Sequence, residues 1–361
     1  MSNPETRRLP DAVFWQGKSV LVTGHTGFKG SWLCLVLAQL GAEVTGLSLD
    51  PEEGSSCFEA CGLPDVVAHD YRIDIRDRVE LGKALDQTPP DLVFHLAAQS
   101  LVRQSYRDPL ESFQTNILGT AHLLDHFRNR DGAPEAFVAV TSDKCYDNDD
   151  QGRPFVESDR LGGHDPYSAS KAGAEIVAAS MRASFFSEPD AMKIATARAG
   201  NVVGGGDFAD DRLIPDFVRA RVADKPPVIR NPSSERPWQH VLEPLAGYVL
   251  LAEDLCGASA GDFTSAWNFG PDASANQPVS SVISTCSELW PGQEPSLANE
   301  KGPRESVLLS LDSSKAKSKL NWQPNWALDE TLAYTIDWYR RWAYEQDMAA
   351  VTSGQIKSYF G

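Results

Sequence analysis

The chain has 361 residues, 42% of them hydrophobic, enough to bury a large core in one domain carrying a second lobe rather than a string of modules. Its formal charge of −17 comes without any run of Lys and Arg, which excludes a general nucleic-acid binder, because phosphate contacts need a basic stripe. No stretch of about 18 uncharged apolar residues occurs, so neither a membrane span nor a signal peptide is expected, and six cysteines without a CxxC pair point to reduced thiols in a reducing, cytoplasmic compartment rather than to disulfides or a metal site.

Between residues 17 and 203 short β-rich runs (SVLVTG, AEVTGLSL, DLVFHLAA, AFVAVTS, MKIATARAG) alternate with helical or loop segments. This alternation predicts an α/β, Rossmann-like, doubly wound parallel sheet. The first run ends in Gly24-His25-Thr26-Gly27-Phe28-Lys29-Gly30 and opens into the helix-like SWLCLVLAQLGA. Glycines at Gly24, Gly27 and Gly30 let the chain turn tightly and bring backbone N–H groups and a helix N-terminus against a pyrophosphate, which makes this a dinucleotide loop. The second run closes on Ser48 where such folds ordinarily carry an acid for the adenosine ribose, with Asp50 two positions on. Lys29 adds positive charge nearby, so the choice between NAD and NADP stays open at this point.

Further along, Ser142 ends the fifth run, and 25 residues later Tyr167 and Lys171 stand four apart in DPYSASK, on one face of a helix. An ammonium there is expected to pull the phenol pKa down toward that of a useful general base. Beyond residue 203 the pattern turns irregular, with helix-like stretches near Leu242–Leu255, Pro278–Trp290 and Leu328–Ala343. Residues 204–347 are therefore expected to form a smaller mixed α/β substrate lobe, partly interleaved with the first part, with 1–16 and 348–361 as terminal extensions. Arg212, Arg236 and Arg304 are candidate diphosphate partners, since a planar guanidinium holds two oxygens at once; for each, a plain surface ion pair is the alternative. Trp238, Trp267, Trp322 and Trp326 could stack a base, although aromatic residues of a small lobe are more often core.

The GxxGxxG spacing combined with Ser142, Tyr167 and Lys171 resembles the extended branch of the short-chain dehydrogenase/reductase superfamily. That resemblance implies that Asp74 and Ile75 contact adenine, that Ala97 and Ala98 pass the cofactor, and that Asn116 positions it and relays protons. It also implies that Ser142 hydrogen-bonds the reacting oxygen, Tyr167 exchanges its proton, Lys171 holds the nicotinamide ribose, and Asn201 meets the nicotinamide edge and the substrate pyrophosphate. Longer stretches, among them GHTGFKGSW, HLAAQSLVR, TSDKCYD, GGHDPYSASK, RAGNVVGGGD, DRLIPD and RPWQHVLEPL, resemble the CDP-glucose 4,6-dehydratase family from the glycine loop to about Pro324. By that resemblance Asp143 protonates the leaving C6 oxygen. Lys144, where dTDP-glucose 4,6-dehydratases carry glutamate, becomes the C5 base; a lysine base must be neutral part of the time, which burial or nearby cations favour. Gln99, Ser100 and Arg103 are expected on the sugar side of a bound CDP-glucose. Because the hydride leaves and returns within one turnover, the resting cofactor must be oxidised, and this favours NAD.

The helix-like segments Pro109–Arg130 and Pro166–Phe186 carry apolar residues beyond one stripe, including Phe113, Leu123, Leu124, Ile176, Val177 and Met181. The family pairs two such helices across a twofold, implying a homodimer or homotetramer. Two rivals remain: an epimerase or dehydratase for another nucleotide sugar, and a dinucleotide sensor without turnover.

Overall fold

The computed structural model describes residues 7–51, 55–128, 130, 132–148, 152–298 and 309–361. Its centre is a seven-stranded sheet built from β1 (Ser19–Thr23), β2 (Glu43–Ser48), β3 (His69–Arg72), β4 (Leu92–His95), β5 (Ala136–Val140), β6 (Lys193–Arg198) and β7 (Ala266–Asn268), in the spatial order β7-β6-β5-β4-β1-β2-β3. Every pairing is parallel, with Val20 opposite both Val44 and Leu92 and Phe137 opposite Val93 and Ile194. A parallel sheet is covered on both faces, and β4 and β5 are accordingly buried at every position. The order reverses at β1, whose neighbours are β2 and β4, so the crevice beyond its carboxyl end is where a dinucleotide sits in such folds.

Side-chain alternation divides the core in two. Leu21, Val93, Phe137 and Ile194 point to one face, where Leu81 and Leu85 of α1 (Arg78–Gln87), Leu123, Leu124 and Phe127 of α2 (Thr120–Phe127) and Ala178 of α3 (Pro166–Phe185) cover them. Val20, Val22, Phe94, Val138 and Ala195 point to the other, against Trp32 to Leu37 of the helix Phe28–Gln39 and the almost wholly buried α4 (Leu242–Leu255). Asp165 caps α3, accepting from Ser168 N at 2.9 Å, and Pro166 occupies its first turn, so the helix starts one residue before Tyr167.

Three features bear on the sequence expectations. First, α2 does not run back continuously to Pro109: a π-helical turn, Gln114–Gly119, separates it from the helix Pro109–Phe113. Of the apolar residues expected on an outward face, Leu123 and Leu124 are in the core and Val177 and Met181 pack against it, because the inner stripe of each helix is what covers the sheet. Phe113 is half-buried and Ile176 is exposed. Second, the sheet itself crosses residue 204, since β7 and α4 come from the later part of the chain and complete the first part's sheet and cover. Third, the ends are built into the fold. Residues 348–360 form a helix that buries Met348, Ile356 and Tyr359 against the helix Leu328–Ala343, and the Tyr359 hydroxyl donates to Glu243 Oε2 at 2.6 Å. At the other end Trp15 is buried and donates to Glu253 Oε1 at 2.8 Å, while Arg8 bridges Glu253 and Asp254. Trp267 and Trp322 are core residues; Trp326 stacks on Tyr334. Among the described residues no helix is long and apolar enough to cross a membrane.

Candidate active site

The glycine loop follows β1. Gly24 has φ +77°, and a Cβ on it would lie 2.7 Å from the Ala97 nitrogen; a Cβ on Gly30 would lie 2.1 Å from the Gly24 oxygen. Both positions therefore exclude a side chain for internal reasons. Gly27 caps the following helix, and a Cβ there would touch only the Gly24 oxygen at 3.4 Å. The bare backbone at Gly27 leaves the helix N-terminus open, as a pyrophosphate requires, so the residues present fit a dinucleotide. Thr23 Oγ1 accepts from Leu96 N and Ala97 N and pairs with His95 Nδ1 at 2.7 Å, tying the ends of β1 and β4 together, with Ala98 half-buried just beyond.

Other loop residues are used differently from the sequence expectation. The His25 ring is buried and pairs with Asp70 Oδ1 at 2.9 Å, so only its backbone serves the loop; burial lowers its pKa, against the pull of Asp70. Phe28 packs against Gly204. Lys29 does not add charge beside the adenosine ribose. It lines the large cavity at the other end of the loop, facing Arg212, Asp143 and Asp207, and enclosure of its ammonium together with Arg212 pulls its pKa down to about 8. The ribose end holds Ser48, whose Oγ lies 2.9 Å from Thr26 Oγ1, and an exposed Asp50 at 4.0 Å from Arg72. Asp74 grips its neighbour Arg76 at 2.8 Å, and Ile75 fills the space left by Gly119.

The cavity, about 940 Å³, opens beyond the carboxyl ends of β5 and β6, a size suited to a small organic ligand. Ser142, Asp143, Lys144 and Tyr167 all line it. Ser142 begins a single 3₁₀ turn: its Oγ accepts from Lys144 N at 3.2 Å and donates to Asp143 Oδ1 at 2.9 Å. The Asp143 carboxylate lies against Gly200, where a Cβ would fall 1.9 Å from Oδ2. Lys144 is half-buried and forms no ion pair among the described residues. Lys171, one turn beyond Tyr167, reaches Val140 O at 3.4 Å; burial and the charge of Lys29 lower its pKa to about 8. Tyr167 departs from expectation: burial pushes the phenol up to about 12, outweighing the pull of the Ser142 hydroxyl.

Asn116 sits in the π turn, a distortion common at functional positions. Its amide donates to Ser170 Oγ at 2.7 Å and Gln99 O at 3.0 Å and accepts from Gln99 N at 2.8 Å, which fastens the β4 exit to α3. Gln99 does not face the cavity; its side chain donates to Ser112 Oγ at 2.9 Å and accepts from Leu101 N, shaping the turn that presents Ser100 and Arg103. Around the outer cavity Arg103 pairs with Asp211 at 2.8 Å, and Arg212 pairs with Asp207 at 2.7 Å. Burial opposes the charge on Arg212, but Asp207 keeps its pKa raised. Arg236, Asn201 (φ 49°) and Trp238 also line this region. Arg304 lies outside the described residues.

Two features had not been expected from the sequence. Arg230, which pairs with Asp211 at 2.6 Å and Asp216 at 3.2 Å, joins the arginine set lining the cavity; the only signal in the sequence was an arginine six residues before Arg236. The other is a buried pair beneath the site, Glu175 of α3 and Arg198 of β6 at 2.8 Å, each side chain 3% exposed. Glu175 also accepts from Thr141 and Thr196, and Arg198 donates to the Tyr146 hydroxyl at 2.7 Å, which donates onward to Asn268 at 2.7 Å. Both ends of the Thr141–Tyr146 loop are thus fixed to one ion pair.

A family model described as GDP-mannose 4,6 dehydratase matches residues 21–335. The CDP-glucose 4,6-dehydratase of Salmonella typhimurium is 45% identical over 97% of this chain and 98% of its own length. A dTDP-glucose 4,6-dehydratase of Xanthomonas campestris is 28% identical, covering 88% and 92%. Among solved structures, MoeE5 in complex with UDP-glucose and NAD has a TM-score of 0.74 at 28% identity, covering 90% of this chain and 99% of that one. A match along most of the chain by the family model, and along nearly all of it by a relative close to half identical, shows that this chain belongs to the GDP-mannose 4,6 dehydratase family.

Proposed function

We propose that the chain is an NAD-dependent CDP-glucose 4,6-dehydratase. The observation that carries this reading is the convergence of Ser142, Asp143, Lys144 and Tyr167 on one cavity, with Lys171 one turn behind: groups suited to oxidising an alcohol and groups suited to eliminating water share a site. The 45% identity to the Salmonella enzyme favours cytidine as the nucleotide.

NAD held along the glycine loop Gly24–Gly30 would supply the hydride acceptor for sugar C4 and the donor for C6, with no net redox change. Ser142 and Tyr167 hold the C4 hydroxyl, and Tyr167 accepts its proton; Lys171 holds the nicotinamide-side ribose and places positive charge beside the phenol. A ketone at C4 acidifies the C5 proton, which Lys144 removes. Asp143 protonates the C6 hydroxyl so that water leaves, and Lys144 returns its proton to C5. Residues 17–203 carry the cofactor and the reacting groups, while the part from 204 onward supplies guanidinium contacts for the diphosphate, Arg212, Arg230 and Arg236, joined from the first part by Asn201. The free thiols among the described residues suit a cytoplasmic setting, and an apolar outer helix face suits a homodimer.

The test is incubation of the purified protein with NAD and, separately, CDP-glucose, dTDP-glucose, UDP-glucose and GDP-mannose, following the mass loss of one water. Selective conversion of CDP-glucose is expected. Conversion of a different nucleotide sugar overturns the nucleotide, and conversion of none overturns the dehydratase reading.

A further inference from the structure

We propose that Asp211 is a built-in stand-in for the diphosphate of the substrate: its carboxylate holds Arg103 and Arg230 together in the outer cavity, and an incoming nucleotide diphosphate displaces it and takes both guanidiniums. The inference rests on the nucleotide-sugar reading of the cavity and moves Arg103 from the sugar to the diphosphate.

The two arginines come from different parts of the chain. Arg103 lies on the helix Val102–Arg107 that follows β4, and Arg230 follows the short strand Val228–Ile229 of the later part. The Nη1 atoms of both reach one oxygen, Asp211 Oδ1, at 2.8 and 2.6 Å. Two guanidiniums brought this close repel one another unless an anion lies between them, so the carboxylate is what keeps them converged. Two cationic donors on one oxygen are also what a phosphate oxygen accepts. Arg107 lines the same cavity. Burial opposes the charge on Asp211, but Arg230, Arg103 and Arg107 together hold its carboxyl below the ordinary carboxylate range.

Asp211 is placed to leave, as its neighbour Asp207 is not. The Asp207 side chain is 7% exposed, its carboxylate accepts from Ala209 N at 3.2 Å as well as from Arg212, and its carbonyl accepts from the Tyr339 hydroxyl. The Asp211 side chain is 37% exposed and stands in a turn at φ 62°. Among the described residues its carboxylate pairs with Arg103 and Arg230 alone. Exposed ion pairs are individually weak. A diphosphate brings more charge and more acceptor oxygens than one carboxylate, and therefore wins the competition for the two arginines.

Asparagine adopts left-handed backbone as readily as aspartate, so Asp211→Asn keeps the turn and removes the charge. CDP, dTDP, UDP and GDP are titrated calorimetrically into the full chain saturated with NAD, at constant salt, and CDP is expected to bind. Asp211→Asn should bind CDP about fivefold to tenfold more tightly than wild type. Asp210→Asn removes the same charge from the adjacent position, where the carboxylate reaches Arg219 at 3.4 Å; it should change the affinity by less than about twofold. Adding Arg103→Gln to Asp211→Asn should cost about tenfold in CDP affinity and leave the affinity for cytidine, which has no phosphate, unchanged. Asp211→Asn binding CDP no more tightly than Asp210→Asn does, or an Arg103→Gln loss shared by cytidine, overturns the displacement while leaving the nucleotide-sugar reading intact. Preference for another of the four diphosphates overturns the choice of cytidine, and the same comparisons made with that diphosphate decide the displacement. A wild type that binds none of the four overturns the nucleotide-sugar reading and the stand-in with it.

Discussion

At the scale of single residues, the site is governed by what burial does to charge. Lys171 is enclosed beneath the site, and its folded pKa of about 8 lies below the ordinary lysine value of 10.5. The unfolded chain therefore holds this proton more tightly, so the stability of the cofactor-free protein is reduced below pH 8 and rises as the pH climbs from 8 toward 10.5. Replacing the lysine by an uncharged residue of similar length removes that cost. Lys171→Met should be more stable than wild type at pH 7, by about 1–3 kcal/mol, and the advantage should fade as the pH approaches 10; denaturant titrations at several pH values check this. An equal difference at every pH would mean that packing and not charge separates the two proteins. The same reasoning explains why a sequence could suggest the partner of Tyr167 but not the balance. A lysine four residues on is visible in the string, whereas the apolar enclosure that pushes the phenol to about 12 is assembled from distant elements.

At the scale of elements, α3 and the β5 exit loop must keep a fixed relation, because one carries Tyr167 and Lys171 and the other Ser142, Asp143 and Lys144. Residues 167, 171 and 175 recur every fourth position along α3, so Glu175 lies one turn below Lys171 and meets Arg198 from β6. Burial would raise the Glu175 pKa, but Arg198, Thr141 and Thr196 together hold it below the ordinary carboxylate range. Removing one member of a buried pair strands the other, typically at about 3–5 kcal/mol. Glu175→Gln should therefore lower unfolding free energy by about 3 kcal/mol and reduce kcat more than it changes KM, since Thr141 loses the anchor that sets the loop while the outer arginines are untouched. Equilibrium unfolding and steady-state kinetics on the same preparation test both parts; a variant with wild-type kcat would show that the loop holds its place without the pair. The catalytic loop was legible in the sequence because Ser142, Asp143 and Lys144 are consecutive and end a clear β run. The ion pair was not, because its members are 23 residues apart and nothing local marks either as buried. β7 was hidden for a related reason: three residues, Ala266–Asn268, are too short for a periodic signal, and only the open edge of β6 makes them a strand.

At the scale of the molecule, a chain with a formal charge of −17 concentrates Lys29, Arg103, Arg212, Arg230 and Arg236 around one cavity, so attraction of a nucleotide diphosphate is local and not a property of the whole surface. The outer side of the helices flanking that cavity has a different character. Leu110 is 67% exposed, Leu118 51%, Ile176 58% and Phe185 51%. These residues belong to the Pro109–Phe113 helix, the π turn after it, and α3, which pack directly on one another with Ile117 seated over Gly173. Four large apolar side chains on one helix pair form the kind of patch that a soluble protein covers with a partner. A twofold pairing would set the two helices of one copy against those of another as a four-helix bundle and remove the patch from water. Sedimentation equilibrium of the wild type should then give twice the chain mass, and the double substitution Leu118→Glu with Ile176→Glu should give the monomer, since charges facing one another across the twofold repel and lose their hydration. Turnover should fall less than association does, because Tyr167 and Lys171 lie on the opposite, buried side of α3. A wild type that sediments as a monomer at all concentrations overturns the pairing, and a double variant that remains dimeric moves the interface to another face of the molecule.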